Sequence, residues 1–446
     1  MKILCVSLGC DKNLVDTEMM LGLLNRDGHT FTDDENEADI IVINTCCFIN
    51  DAKEESVNTI LEMAELKKTG KCKALIVTGC MAQRYKQEII DEIPEVDGIL
   101  GTSTYDEISN VLKQALGGEG HVSCFHDLNA LPEVETSRII TTGGHYAFLK
   151  IAEGCDKHCT YCIIPSLRGN YRSVPMERLL KEANELADQG VRELILVAQE
   201  TTLYGVDLYG KKMLPELLHK LAEIPGIYWI RIQYCYPEEI TDELIEAIRT
   251  EEKVCHYLDV PIQHASDRIL KRMGRRTNQA QLREIIGKLR AAVPDIALRT
   301  TMISGFPGET QEDHEEVMRF VDEMEFERLG VFTYSAEEDT PAAAFPDQIL
   351  EEVKEERRDE IMELQQEIAF EKSESMVGRV LDVMIEGKVA DEAAYVGRTY
   401  MDAPNVDGYI FVNSGELFMS GDFVRVKVTG SNDYDLIGEV YDESAE

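Results

Sequence analysis

The sequence contains no run of about eighteen consecutive apolar residues, so it offers no candidate for a membrane-spanning helix. It also lacks the marks of a secretory leader. The opening "MKILCVSLGCDKNLVDTE" has a single lysine ahead of a short apolar run and no small-residue cleavage site, so the expected compartment is the cytoplasm. Basic residues are scarce: 45 Lys and Arg stand against 84 Asp and Glu, a net charge of −39. A field of that sign repels phosphate backbones, so direct nucleic-acid binding is not expected. A basic protein is the easier macromolecular partner. In a reducing compartment the 12 cysteines are not expected to form disulfides, which leaves metal or catalytic chemistry for them.

At 446 residues the chain is too long for one hydrophobic core, and two or three domains are expected. The runs "KILCVSLGC", "ADIIVINTCC" and "KALIVTGC" have the β-rich, continuously apolar character of buried parallel strands, and helix-like sequence follows each. They predict an N-terminal doubly wound parallel-sheet domain over 1–135, ending in the connector "LGGEGHVSCFHDLNALPEVETSRIITTGG". A second series, "YAFLKIAEGC", "ELILVAQE", "YWIRIQYC", "YLDVPIQ", "ALRTTMISG" and "RLGVFTYS", supplies six βα units. That is too few for a closed eight-stranded barrel and predicts a partial (β/α) TIM-like barrel over 136–375, including a charged connector helix from about Gln348 to Ser375. Five short β runs separated by Gly, Asp and Asn turns then predict a small antiparallel β-barrel of the oligonucleotide-binding type over 376–446. The predicted class is therefore α/β and multidomain. From Lys372 onward acidic side chains far outnumber basic ones, which does not suit a barrel that binds RNA by its surface.

The stretch "GCDKHCTYC" holds Cys155, Cys159 and Cys162 and no fourth thiol. Thiolates suit zinc or an iron–sulfur cluster, and His158 could complete a zinc site. The spacing is not that of the paired C-x2-C knuckle of zinc fingers, however, and no second pair follows at finger distance. A cubane held by three cysteines leaves one iron free for a small molecule, and the residues favour that reading. Cys10, Cys46 and Cys80 each close an N-terminal strand run just ahead of a helix. The carboxyl ends of parallel strands meet along one edge, so these three should converge, and a second three-cysteine cluster is favoured over three buried structural thiols. Cys47 should point away from Cys46 along an extended segment. Cys5, Cys72, Cys124, Cys235 and Cys255 match no constellation and read as structural.

"EGCDKHCTYCIIPSLRG" resembles the cluster loop of radical S-adenosylmethionine enzymes. "LGCDKNLVDTE", "NTCCFI" and "TGCMAQRY" resemble the three cysteine motifs of the methylthiotransferase N-terminal domain. The resemblance to the radical S-adenosylmethionine methylthiotransferase family covers essentially the whole chain, with a final barrel of the TRAM type. It implies two 4Fe–4S clusters with Cys10, Cys46 and Cys80 on one and Cys155, Cys159 and Cys162 on the other. Cys46 rather than Cys47 holds the family's N-T-C position. It also implies S-adenosylmethionine as cofactor, both radical source and methyl donor, with an electron donor and a sulfur source as partners. Tyr161 falls at the family position near the adenine. Gly305 and Gly308 of "TMISGFPGET" fall where backbone passes close to the nucleotide, and Gln199 and Glu200 of "VAQET" near the methionine amino group. No catalytic residue is assigned beyond the cluster ligands.

Two subfamilies compete, one acting on an adenosine derivative in tRNA and one on an aspartate β-carbon of the small-subunit ribosomal S-twelve protein. "YLDVPIQHASDRILKRMGRRT", "ERLGVFTYSAEEDTPAA" and "GSNDYDLIGEV" resemble the ribosomal-protein type, and the acidic barrel agrees independently. An iron–sulfur electron carrier is a third reading, disfavoured because a carrier usually closes its cluster with four cysteines. His264 is not expected to be catalytic, and Arg168 is open between a ligand-facing role and a salt bridge.

Overall fold

The computed structural model describes every residue except 119, 133, 135, 136 and 443–446. The expected boundary between the first two domains, at 135 and 136, lies outside the described residues.

In the N-terminal domain β1 (Lys2–Ser7), β2 (Thr30–Phe31), β3 (Ile40–Thr45), β4 (Ala74–Gly79), β5 (Gly98–Leu100) and β6 (Val122–Cys124) pair in the order β2-β1-β3-β4-β5-β6, all parallel. The sheet is doubly wound, as the three apolar runs predicted. Alternation along the strands explains how: Ile41, Ile43, Leu75 and Val77 face one core with Ile60 of α2 (Asn50–Thr69). Ile40, Val42 and Ile76 face the other, with Met20 and Leu24 of α1 (Asp11–Arg26). Both faces are covered, so β3 and β4 are buried along their whole length. Strand β6 lies inside the stretch read as a connector. It is only three residues long and its pairing partner β5 lies far upstream, so no local period announced it.

The second domain has six parallel strands, β7 (Tyr146–Lys150), β10 (Glu193–Val197), β11 (Trp229–Ile232), β12 (Val254–Asp259), β13 (Ala297–Ser304) and β14 (Arg328–Thr333), with a small ribbon of β8 (Ala152–Glu153) and β9 (Arg172–Ser173) beside them. The order β7-β10-β11-β12-β13-β14 leaves the first and last strands unpaired with each other, an open partial barrel. The helix Glu351–Ser375 lies against β14 and buries Ile361, Ile368 and Ala369 there. Among the described residues no helix is long and apolar enough to cross a membrane.

The last five strands, β15 (Val380–Lys388), β16 (Ala394–Arg398), β17 (Ile410–Asn413), β18 (Phe423–Asn432) and β19 (Asp435–Val440), close into a barrel. Every pairing is antiparallel except β17 with β19, which is parallel. Charge ties this barrel to the second domain. Glu193 sits between Arg231 and Arg398, 2.7 Å from each, and all three side chains are fully buried. Burial opposes the Glu193 charge, but the two guanidiniums overcome it and hold its pKa below the usual carboxylate range. Trp229, Cys255 and Tyr257 pack beside Met384, Tyr395 and Ile410 around this triad. Replacing Glu193 by Ala strands two buried cations. We expect a loss of about 3–5 kcal/mol, read by chemical denaturation; a loss below about 1 kcal/mol would mean that water reaches the arginines.

Candidate active site

Cys10 follows β1, Cys46 follows β3 and Cys80 opens α3 (Cys80–Tyr85) directly after β4. Neighbouring parallel strands end on one edge, which brings Cys80 and Cys10 close enough to act on the Cys46 thiol. Gly9 allows the approach: its φ is +86°, and a Cβ there would lie 2.6 Å from the Cys46 Cβ and 2.8 Å from its Sγ. Asn13 ties the strand ends together, donating to the carbonyls of Leu8 at 2.9 Å and Thr45 at 3.0 Å. Ser56 clamps the Cys46 backbone, its Oγ accepting from the amide at 3.0 Å and donating to the carbonyl at 2.8 Å. Burial pushes the Cys46 thiol up to about 12, and Cys80 and Cys10 add to the rise. Cys47 is buried in the core among Ile43, Ile60 and Val77, its thiol pushed up to about 12 by burial, with Cys80 and Arg84 as charged neighbours.

Cys155, Cys159 and Cys162 lie in the loop after β8. The Cys155 amide donates to Gly169 O at 3.1 Å, and the Cys162 amide to Cys159 O at 3.0 Å. Thr160 anchors the loop tip, its amide on Met273 O and its hydroxyl on Arg272 O, both at 2.9 Å. Burial pushes Cys155 up to about 11, and Cys159 adds to it; Cys162 is raised by burial and then by both neighbours. Such thiols stay protonated near neutral pH unless a bound cation stabilises the thiolate. Among the described residues no His, Cys, Asp and Glu side chains form a group that could hold a single metal ion. A cubane spreads its three thiolates over separate irons, so wider spacing suits it.

The remaining expected site residues surround this loop. The Tyr161 ring meets Phe306 edge to face at 6.4 Å. Gln199 donates to Glu153 at 3.0 Å while its Oε1 is buried without a partner. Glu200 is fully buried; its Oε1 accepts from the Thr202 amide at 2.9 Å, and its Oε2 has no hydrogen-bond partner, with the Lys157 ammonium 3.7 Å away. Gly305 and Gly308 have φ of +68° and +83°, and a Cβ on Gly305 would run into Lys354 of the long connector helix. Helix packing therefore demands glycine at 305 whatever lies on its other side. His264 accepts from the Ser266 amide at 2.9 Å and lies 3.4 Å from Glu309, a structural arrangement; His158 is exposed, at φ +53°.

Two features were not read from sequence. Arg275 lies over the Tyr236 ring at 4.3 Å, and its Nε and Nη1 are buried without partners. Tyr236 reaches Cys159, hydroxyl to Sγ, at 3.7 Å. Two residues earlier, the Tyr234 hydroxyl donates to Asp11 at 3.4 Å, and the Lys12 ammonium stands 3.4 Å above its ring. The segment Gln233–Tyr236 thus runs from one thiol set to the other, with Tyr234 at φ +61°. The basic run around Arg275 was the available signal, but only folding brings it to Cys159.

The two sets are locked together by Arg168. Its Nη1 contacts Glu153 at 3.0 Å and Asp16 at 3.2 Å, and its Nη2 bonds Asn13 Oδ1. This is a salt bridge, and the guanidinium also acts on the Cys80 thiol. Ile163 and Leu167 beside it pack with Cys80 and Met81.

Residues 149–321 match the radical SAM superfamily, 2–101 the uncharacterized protein family UPF0004 and 377–440 the TRAM domain. A ribosomal protein uS12 methylthiotransferase RimO from Lachnoclostridium phytofermentans is 67% identical over 98% of this chain and 99% of its own length. The chain belongs to the RimO family of radical S-adenosylmethionine methylthiotransferases. A second RimO, from Acetivibrio thermocellus, is 52% identical over 100% of this chain and 99% of its own. Among solved structures, the radical S-adenosylmethionine methyltransferase TsrM from Kitasatospora setae superposes with a TM-score of 0.55 at 13% identity, covering 76% of this chain and 74% of that one. The cobalamin-dependent radical enzyme OxsB gives 0.53 at 14%, over 82% and 56%. At such identity these two likenesses concern the fold alone.

Burial lifts the Glu200 carboxyl from 4.5 to about 7, with Thr202 and Lys157 opposing only in part. The folded protein therefore holds this proton more tightly than the unfolded chain. The stability so gained is present below pH 4.5 and is lost as pH rises through about 7. Glu200→Gln should flatten that part of the curve of melting temperature against pH, raising the midpoint near about pH 8 and not near about pH 4. A curve of unchanged shape in ligand-free protein would refute the assignment.

Proposed function

We propose that this enzyme attaches a methylthio group to the β-carbon of an aspartate in ribosomal protein uS12, using two 4Fe–4S clusters. One observation carries the reading: Gln233–Tyr236 reaches Cys159 of one three-cysteine set at one end and Asp11, next to Cys10 of the other set, at its other end, in a chain 67% identical to a RimO enzyme. Cys155, Cys159 and Cys162 would hold the radical cluster, and Cys10, Cys46 and Cys80 the second. Cys46 is preferred to Cys47 because its sulfur faces Gly9 beside Cys10. The donor set fits. The Cys155 and Cys162 thiols, raised by burial, need a cation to ionise, and unpartnered buried oxygens stand around them.

When bound, the clusters and S-adenosylmethionine supply hydrogen abstraction, sulfur and the methyl group. The chain's own residues position them. The Glu200 Oε2 and Gln199 Oε1 are free acceptors for the ammonium of the methionine moiety. The Arg275 Nε and Nη1 are free donors for its carboxylate. Tyr161 would lie beside the adenine, near the turn through Gly305 and Gly308. The acidic surface favours a basic ribosomal protein over RNA.

Protein reconstituted anaerobically with iron and sulfide, given S-adenosylmethionine and a reductant, should place a methylthio group on an aspartate of uS12 and leave tRNA untouched, read by mass spectrometry. Modification of tRNA alone would overturn the substrate. Cys159→Ala should reduce deoxyadenosine release to background while the second cluster still loads; undiminished release refutes the radical site. Cys46→Ala should retain deoxyadenosine release and lose the methylthio product, and a normal product yield would transfer the ligand role to Cys47.

A further inference from the structure

The proposed reaction brings two carboxylates between the thiol sets, one from the methionine moiety and one from the aspartate substrate. Two cations there, Arg275 and Lys12, form no ion pair among the described residues. Arg275 stands on the side of Cys159 and suits the first. Lys12 stands on the other side, two residues beyond Cys10. It is only 6% exposed, and its ammonium faces the Tyr234 ring at 3.4 Å, without a hydrogen bond or ion pair among the described residues. Its neighbour Asp11 acts on it only through the field, and the Asp11 carboxylate accepts the Tyr234 hydroxyl at 3.4 Å. The other basic side chains of this junction are paired: Lys150 and Arg168 with Asp16 and Glu153, Lys157 with Glu239, Arg299 with Asp259.

A lysine is rarely buried without a counter-ion, because its ammonium loses hydration that a ring face replaces only in part. The cost is recovered when an anion arrives, and an aspartate brings one. In an aspartate the β-carbon bears the carboxylate directly, so holding the carboxylate also holds the β C–H in the gap between the two thiol sets.

We propose that Lys12 binds the side-chain carboxylate of the aspartate to be modified and so selects it over asparagine. This assignment rests on the uS12 reading above. The test uses holoenzyme with S-adenosylmethionine and no reductant, titrated with uS12 and with uS12 carrying Asn at the modified position. Wild type should bind the aspartate form about tenfold or more tightly than the asparagine form. Lys12→Met should erase that preference, and Lys12→Arg, which keeps the charge, should retain part of it. Equal binding of both forms by wild type overturns the proposal without recourse to any variant. So does a preference that survives in Lys12→Met; a shifted midpoint potential of the second cluster in that variant would then mark Lys12 as a counter-charge to the cluster. If wild type methylthiolates uS12 and Lys12→Met keeps the preference, only the role of Lys12 falls. If wild type modifies tRNA and not uS12, the substrate reading falls and the role of Lys12 with it.

Discussion

A buried guanidinium stands at the centre of the junction between the two halves of this enzyme. Arg168 follows the second cysteine set in sequence, and its partners Asn13 and Asp16 follow the first member of the other set on α1. Removing a guanidinium from water costs several kcal/mol, and only well-placed acceptors offset it. Glu153, Asp16 and Asn13 provide them, and Lys150 balances the second acid. The arrangement has one geometry, because each group left unpaired would be a buried orphan. Around it the apolar contacts of Leu167 and Val15 add burial without direction.

Between the thiol sets several buried polar atoms lack hydrogen-bond partners, as others do elsewhere in the chain. Glu200, Gln199, Gln233 and Arg275 each leave an atom unmatched there. Orphans cost stability, and a ligand that paired with these four would offset that cost. The backbone agrees: Tyr234 and Gln263 both take positive φ, at +61° and +73°, at the ends of strands that face the gap. Binding energy from these groups would act on positioning, since the hard chemistry belongs to the cofactors.

The final barrel contributes by a different route. Its anchoring face is made of buried ion pairs, Glu193 with Arg231 and Arg398 and Asp402 with Arg328, and its outer surface is acidic. Buried pairs orient the barrel against the strand ends of the second domain, while the outer charge acts at longer range on whatever approaches. Closure by the parallel β17–β19 pair removes the sheet edges that a small β domain would otherwise expose.

Local sequence settled whatever local chemistry governs. Continuous apolar runs marked β3 and β4 because both faces of a doubly wound sheet are covered, and six βα units marked an open barrel. Strand-end cysteines before helices marked a convergence because parallel strands finish on one edge. Strands β2, β5 and β6 stayed illegible, being two or three residues long and held by neighbours distant in sequence. Lys12, Arg275 and Gln233 look in sequence like any charged or polar residue, and Arg168 stays open between a ligand-facing role and a salt bridge. Their burial, and the presence or absence of a partner, arises only when two domains dock. Composition and spacing therefore decided which chemistry the chain carries, and the packing of one domain on the other decided where its charges are left unsatisfied and so where a substrate can be held.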